Sequence, residues 1–112
     1  MPYTMFAPGF YNAIESVSRL KKPIIITENG VPDKKDKIRS KWIIDYLNQL
    51  QIAMENGIDI RGYFYWSLLD NYEWVEGYHM KFGLYKVDFP TQKRTLREGS
   101  KTFQKIIKHY SE

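Results

Sequence analysis

Apolar residues recur along this chain in two alternating rhythms. Phe10, Ile14, Val17 and Leu20 follow helical spacing and predict a helix over about 9–21, closed by Lys21, Lys22 and Pro23. Ile24 to Thr27 is short, β-branched and apolar, the pattern of a strand buried on both faces of a parallel sheet. A polar loop with Pro32 fills 31–37. Ile38, Trp42, Ile43, Tyr46, Leu47, Leu50, Ala53 and Met54 then mark one face of a long helix, and Asn56-Gly57 is a helix stop. Ile58 to Trp66 reads as a second strand. Ser67 to Phe82 reads as a long loop with some local helix, and Leu84 to Phe89 as extended chain. Phe103, Ile106, Ile107 and Tyr110 mark a last helix.

Helix, strand, helix, strand, helix is the order of βαβ crossovers, which predicts a parallel sheet. A dinucleotide-binding half-unit would fit that order, but no Gly-rich turn follows either strand. Two main strands cannot cover both faces of a parallel sheet or remove its open edges. The 112 residues are enough for one modest domain. The physical objection is therefore to completeness. In an α/β barrel, functional residues sit where strands end and βα loops begin, and Glu28 and Trp66 both sit there. A full barrel needs eight units and about 250 residues, so this chain would supply about a quarter of one.

Composition narrows the function classes. Apolar residues make up 43%, enough to bury a core, and aromatic residues 16%, many of them between Tyr63 and Tyr85. The net charge is +4. Nucleic-acid binding would want its basic residues on one stripe. The densest run, Lys34, Lys35, Lys37, Arg39 and Lys41, is interrupted by Asp33 and Asp36, so it reads as a solvated loop and helix start. With no cysteine there is no disulfide or thiolate metal site. His79 and His109 lack ligand spacing, so no metal or other cofactor is expected. The opening "MPYTMFAPGF" lacks the basic start and long apolar run of a signal peptide, and no segment approaches a membrane span. The expected location is cytoplasmic, any N-terminal signal lying upstream.

The strand ends carry the candidate chemistry. "ITENG", Ile26 to Gly30, ends an apolar strand by presenting a carboxylate, an amide and a glycine together. A carboxylate there can be a base, a nucleophile or a metal ligand, or a plain helix-cap or salt-bridge partner. After the second strand, Trp66, Asp70, Asn71, Glu73, Trp74, Tyr78 and Phe82 combine flat rings with polar acceptors. Sugars present apolar C–H faces to rings and hydroxyls to carboxylates and amides. The alternative is an aromatic core plug with surface acids.

"PIIITENG", "GYFYWSLLDNYEW", "GYHMKFGLYKVDF" and "TQKRT" appear in an order that resembles the C-terminal part of family 1 glycoside hydrolases, the β-glucosidase family. The resemblance covers the chain from about Phe10 onward. It implies the last two strands and flanking helices of a (β/α)8 barrel, with 1–112 one C-terminal fragment of that domain. It makes Glu28 the catalytic nucleophile. Trp66 would border the sugar, Glu73 and Trp74 would hold its hydroxyls, and Phe82 would line the same pocket. The implied reaction is hydrolysis of β-glycosidic bonds with retention, the substrate a β-glucoside or related small saccharide. The family's acid/base carboxylate belongs to an Asn-Glu-Pro motif, which these residues lack. The remainder of the barrel is thus the expected macromolecular partner. A catalytically inactive remnant of a split or truncated gene is the alternative. Tyr72, Lys81 and Leu96 depart from common family choices without touching this chemistry. The phospho-sugar branch usually has Ser where Glu73 stands. A carboxylate there would repel a phosphate dianion, which favours unphosphorylated β-glucosides, β-galactosides or β-fucosides. Asn29 and Gly30 are expected to turn the backbone away and leave room for the sugar.

Overall fold

Pro8 lies in the first turn of α1 (Ala7–Ser18), where its missing N–H costs nothing, so the helix starts ahead of the periodic residues. A computed structural model describes residues 5–111; residues 1–4 of the "MPYTMFAPGF" stretch lie outside it. Lys21 takes a left-handed φ of 53° and ends the helical run early. The strand β1 (Ile24–Asn29) runs on past its apolar core and includes Glu28. The long helix α2 (Arg39–Glu55) carries the chain back, and β2 (Ile60–Tyr65) pairs with β1 in parallel, Ile24 opposite Ile60 and Asn29 opposite Tyr65. Asn56 closes α2, and Gly57, at a φ of 87°, is the left-handed residue that follows.

The core lies between α2 and the loops beyond the strands. Val31, Trp42, Ile43 and Leu84 are buried, with Tyr46, Leu47, Tyr65, Tyr85, Phe103 and Ile106 packed against them. Trp42 stacks on Tyr46 at 4.0 Å between ring centroids. Burying one such large side chain contributes roughly 1.5–3 kcal/mol. The last helix, α3 (Lys101–Tyr110), closes over this cluster through Phe103 and Ile106.

A hairpin joins β3 (Tyr85–Asp88) to β4 (Lys93–Leu96), antiparallel, with Tyr85 opposite Leu96. Sequence periodicity indicates the first strand and misses the second. Lys93, Arg94 and Thr95 are all exposed, so β4 has no apolar alternation to read. Its turn is set by local chemistry: Gln92 has a φ of 62°, its amide donates to the Asp88 carbonyl at 2.6 Å, and the Thr91 hydroxyl donates to the Asp88 carboxylate.

The basic run is not wholly solvated. Arg39 has no exposed surface. Its Nη1 donates to the Asp36 carboxylate at 2.6 Å and to the Asp33 carbonyl at 3.2 Å, and Nη2 donates to the Lys81 carbonyl at 2.9 Å. The Asp33 carboxylate accepts the amides of Ile38 and Arg39 at 2.8 and 2.9 Å, which satisfies donors at the start of α2 that lack helical partners. A charge-pattern reading cannot separate one buried arginine from four neighbouring lysines. The decisive partner, Lys81, is 42 residues away.

The expected burial of β1 on both faces is met on one. Ile24 and Ile26 are half-buried, but Ile25 is 55% exposed and Phe64 on β2 is 62% exposed. These bare positions belong to a sheet with two open edges. The chain alone should therefore self-associate. Size-exclusion chromatography should show concentration-dependent oligomers, reduced in Ile25→Thr/Phe64→Ser. A compact monomer with one cooperative unfolding transition would contradict this. No helix among the described residues is long and apolar enough to cross a membrane.

Candidate active site

Parallel pairing brings the C-terminal ends of β1 and β2 to one edge. Glu28 is exposed there. Trp66, the first residue beyond β2, donates its amide to the Asn29 carbonyl at 3.0 Å. The nucleophile candidate and the first ring candidate thus stand at neighbouring strand ends. The Tyr63 hydroxyl donates to the Asn29 side-chain oxygen at 2.8 Å. Burial pushes the Tyr63 phenol well above its usual range, helped by nearby Tyr65, so it stays a neutral donor.

Gly30 has a different role from the one expected. A Cβ on it would lie 1.7 Å from the Trp66 carbonyl oxygen. The room it leaves is filled by Trp66 backbone, not reserved for a ligand. The Trp66–Ser67 peptide is cis.

Beyond Trp66 the loop folds back on its own start. The Ser67 amide donates to the Phe82 carbonyl at 3.4 Å, and the Leu84 amide to the Ser67 carbonyl at 2.8 Å. Phe82 is thereby brought next to the Trp66 exit, and its side chain is packed inside at 6% exposure. Glu73 and Trp74 lie farther along, at a turn in which the Glu73 amide donates to the Gly77 carbonyl at 2.8 Å. Trp74 is 81% exposed. Hollows of about 660 and 640 Å³ lie between α2 and α3 and near the N-terminal ends of the strands, and none of the five residues lines either. Glu28, Trp66 and Phe82 are brought together at one end of the sheet, and Glu73 and Trp74 lie on the loop that runs between Trp66 and Phe82.

Asp70 and Asn71 are not free to take sugar hydroxyls in the way their composition suggests. Asp70 is 3% exposed, and its carboxylate is fully engaged. Oδ1 accepts from Arg97 Nη1 at 2.8 Å and the Gly83 amide at 3.0 Å, and Oδ2 from Arg97 Nη2 at 3.0 Å and the Val87 amide at 3.3 Å. Burial pushes this carboxyl up, but the Arg97 guanidinium and the two amides outweigh it and hold it below the usual range. Asn71 donates to the Ser67 hydroxyl at 3.0 Å and the Leu69 carbonyl at 2.9 Å. Tyr78 packs edge-on against Tyr72 and Phe89. The cluster of rings and acids thus divides into a structural base and an open tip. Arg97, Arg39 and Tyr63 are missed by sequence reading, because a single charge or ring carries no signal of its distant partner. Among the described residues no group of three or more His, Asp or Glu could hold a metal ion.

The family model for glycosyl hydrolase family 1 matches residues 1–112. The chain belongs to glycosyl hydrolase family 1. Within the family, the β-galactosidase of Pyrococcus woesei is 37% identical over 106 residues, covering 94% of this chain and 21% of that protein. The solved β-glycosidase from Pyrococcus horikoshii superposes with a TM-score of 0.91 at 42% identity, over 95% of this chain and 25% of that one. The β-glucosidase from Thermotoga maritima, solved in complex with glucoimidazole, superposes with a TM-score of 0.89 at 31% identity, over 95% of this chain and 27% of that one. The chain spans about a fifth to a quarter of these relatives. Its helices and parallel strand pair are a segment of the family's (β/α)8 barrel, and the barrel is not closed by these residues.

Proposed function

We propose that this chain supplies the nucleophile and part of the sugar-binding wall of a retaining β-glycosidase. The observation that carries the reading is the exposed Glu28 at the C-terminal end of β1, next to Trp66 on the neighbouring strand end. A carboxylate oxygen of Glu28 attacks the anomeric carbon as the glycosidic C–O bond breaks. The leaving oxygen takes its proton from a carboxylic acid on the rest of the barrel, about 5 Å from Glu28. That group, now a base, deprotonates a water, which displaces Glu28 and restores the original configuration. Trp66 and Trp74 offer ring faces, Glu73 accepts hydroxyls, and Phe82 backs the site from inside. The Glu73 carboxylate disfavours phosphorylated sugars, so plain β-glucosides, β-galactosides or β-fucosides are the substrates.

Two measurements test this reading. The pure 112-residue chain should show no appreciable turnover of an aryl β-glucoside, as an inactive remnant would. The same chain joined to the preceding barrel units of a family relative should turn it over. A 2-deoxy-2-fluoro glycoside should then leave its sugar on the peptide containing Glu28. Labelling of another carboxylate would overturn the assignment.

A further inference from the structure

Resting on that reading, we propose that the Asp70–Arg97 pair is a positioning clamp. It locates the loop that carries Glu73 and Trp74, and so sets selectivity between sugars differing at one hydroxyl. The loop 71–82 leaves the body of the chain at Asp70 and returns at Gly83. One carboxylate oxygen, Asp70 Oδ1, accepts the Gly83 amide at 3.0 Å and so ties the two ends together. Arg97 closes the same junction from the other side. Its Nη1 donates to Asp70 Oδ1 at 2.8 Å and to the Gly83 carbonyl at 2.7 Å, and its Nη2 to Asp70 Oδ2 at 3.0 Å. The Asp70 amide also donates to the Tyr85 carbonyl at 3.2 Å. The base of the loop is thus fixed in direction as well as in place.

Beyond its base the loop is held again where Tyr78 packs edge-on against Phe89 and where the Lys81 carbonyl accepts Arg39 Nη2 at 2.9 Å. Trp74 is 81% exposed and Val75 98%. Glu73 and Trp74 lie between Asp70 and those later fastenings, so an error at the clamp moves them relative to Glu28. Glucosides and galactosides differ in the orientation of one hydroxyl. A shift of Glu73 therefore changes their ratio, whereas a general loss of stability lowers both alike. Arg97 and Asp70 touch no substrate, and their effect on selectivity runs through Glu73 and Trp74.

The test uses the completed barrel with Arg97→Lys and with Asp70→Leu/Arg97→Met. The double variant removes both charges together but leaves the Gly83 and Val87 amides and the Gly83 carbonyl without these partners, so Tm reads the cost in stability and the substrate ratio reads positioning. The readouts are Tm, affinity for glucoimidazole, and kcat/KM for matched aryl β-glucoside and β-galactoside. The double variant should keep a cooperative unfolding transition, bind glucoimidazole more weakly, and shift the glucoside-to-galactoside ratio about tenfold. Arg97→Lys keeps the charge but loses the fork, and should shift the ratio in the same direction by less. A folded double variant with an unchanged ratio, or with both substrates reduced by one common factor, overturns the proposal. If the double variant does not fold, an unchanged ratio in Arg97→Lys overturns it. Glu28→Ala in the same barrel separates the two readings. Turnover that survives Glu28→Ala removes the proposed function, whereas Glu28-dependent turnover with an unshifted ratio removes only the clamp.

Discussion

Glu28→Gly in a completed barrel should lower turnover by a factor on the order of 10⁴ or more while largely keeping sugar affinity. The strand itself is held by its pairing with β2, which the side chain does not enter. What is lost is the group that bonds to the anomeric carbon. Azide or formate should restore part of the turnover by attacking from the vacated place. Only one displacement then occurs, so the product should be the inverted glycosyl azide or formate. Glu73→Ala should instead weaken binding and turnover together, with no rescue by a small anion. Product configuration by NMR, with and without azide, decides the matter. Rescue of Glu73→Ala in place of Glu28→Gly would reverse the assignment of the two carboxylates.

Gly30→Ala should be among the most damaging single substitutions in the chain. The added Cβ would fall 1.7 Å from the Trp66 carbonyl oxygen and 2.8 Å from its carbon. Both are backbone atoms, so no side chain can swing aside. Relief requires the strand ends to part, which breaks the 3.0 Å bond from the Trp66 amide to Asn29. The expected cost in a completed barrel is about 3 kcal/mol or more. Glu28 and Trp66 flank the contact, so kcat should fall as well, by about a hundredfold for a displacement near 1 Å. Gly57→Ala is the control: its added Cβ meets nothing within 4 Å, and only the left-handed φ of 87° opposes it. Thermal unfolding and kcat for both variants test the comparison. A Gly30→Ala enzyme with unchanged Tm and kcat would show that the strand ends do not meet in this way.

The amino-acid sequence by itself determined the helices, the parallel β-α-β crossover, the incompleteness of the sheet and the position of Glu28 at a strand exit. Each rests on local information. Helical and strand periodicities repeat every few residues, Asn56-Gly57 stops a helix where it stands, and "ITENG" carries its carboxylate within one short stretch. Its likeness to family 1 came from ordered motifs, and the match over 1–112 confirms it.

Only the tertiary structure decided which charges are buried and what the glycine is for. Asp70 sits among rings in sequence, yet its carboxylate is occupied by Arg97, 27 residues away. Arg39 looks like one more solvated cation until the carbonyl of Lys81 closes on it. Strand β4 is polar throughout its exposed positions and exists because a local turn lays it against β3. Gly30 carries no sign in its own sequence that a carbonyl 36 positions later would occupy its missing side chain. The physical reason is common to Asp70, Arg39 and Gly30. A buried polar group or a backbone contact is specified by its partner, and a partner distant along the chain leaves no local periodicity to read.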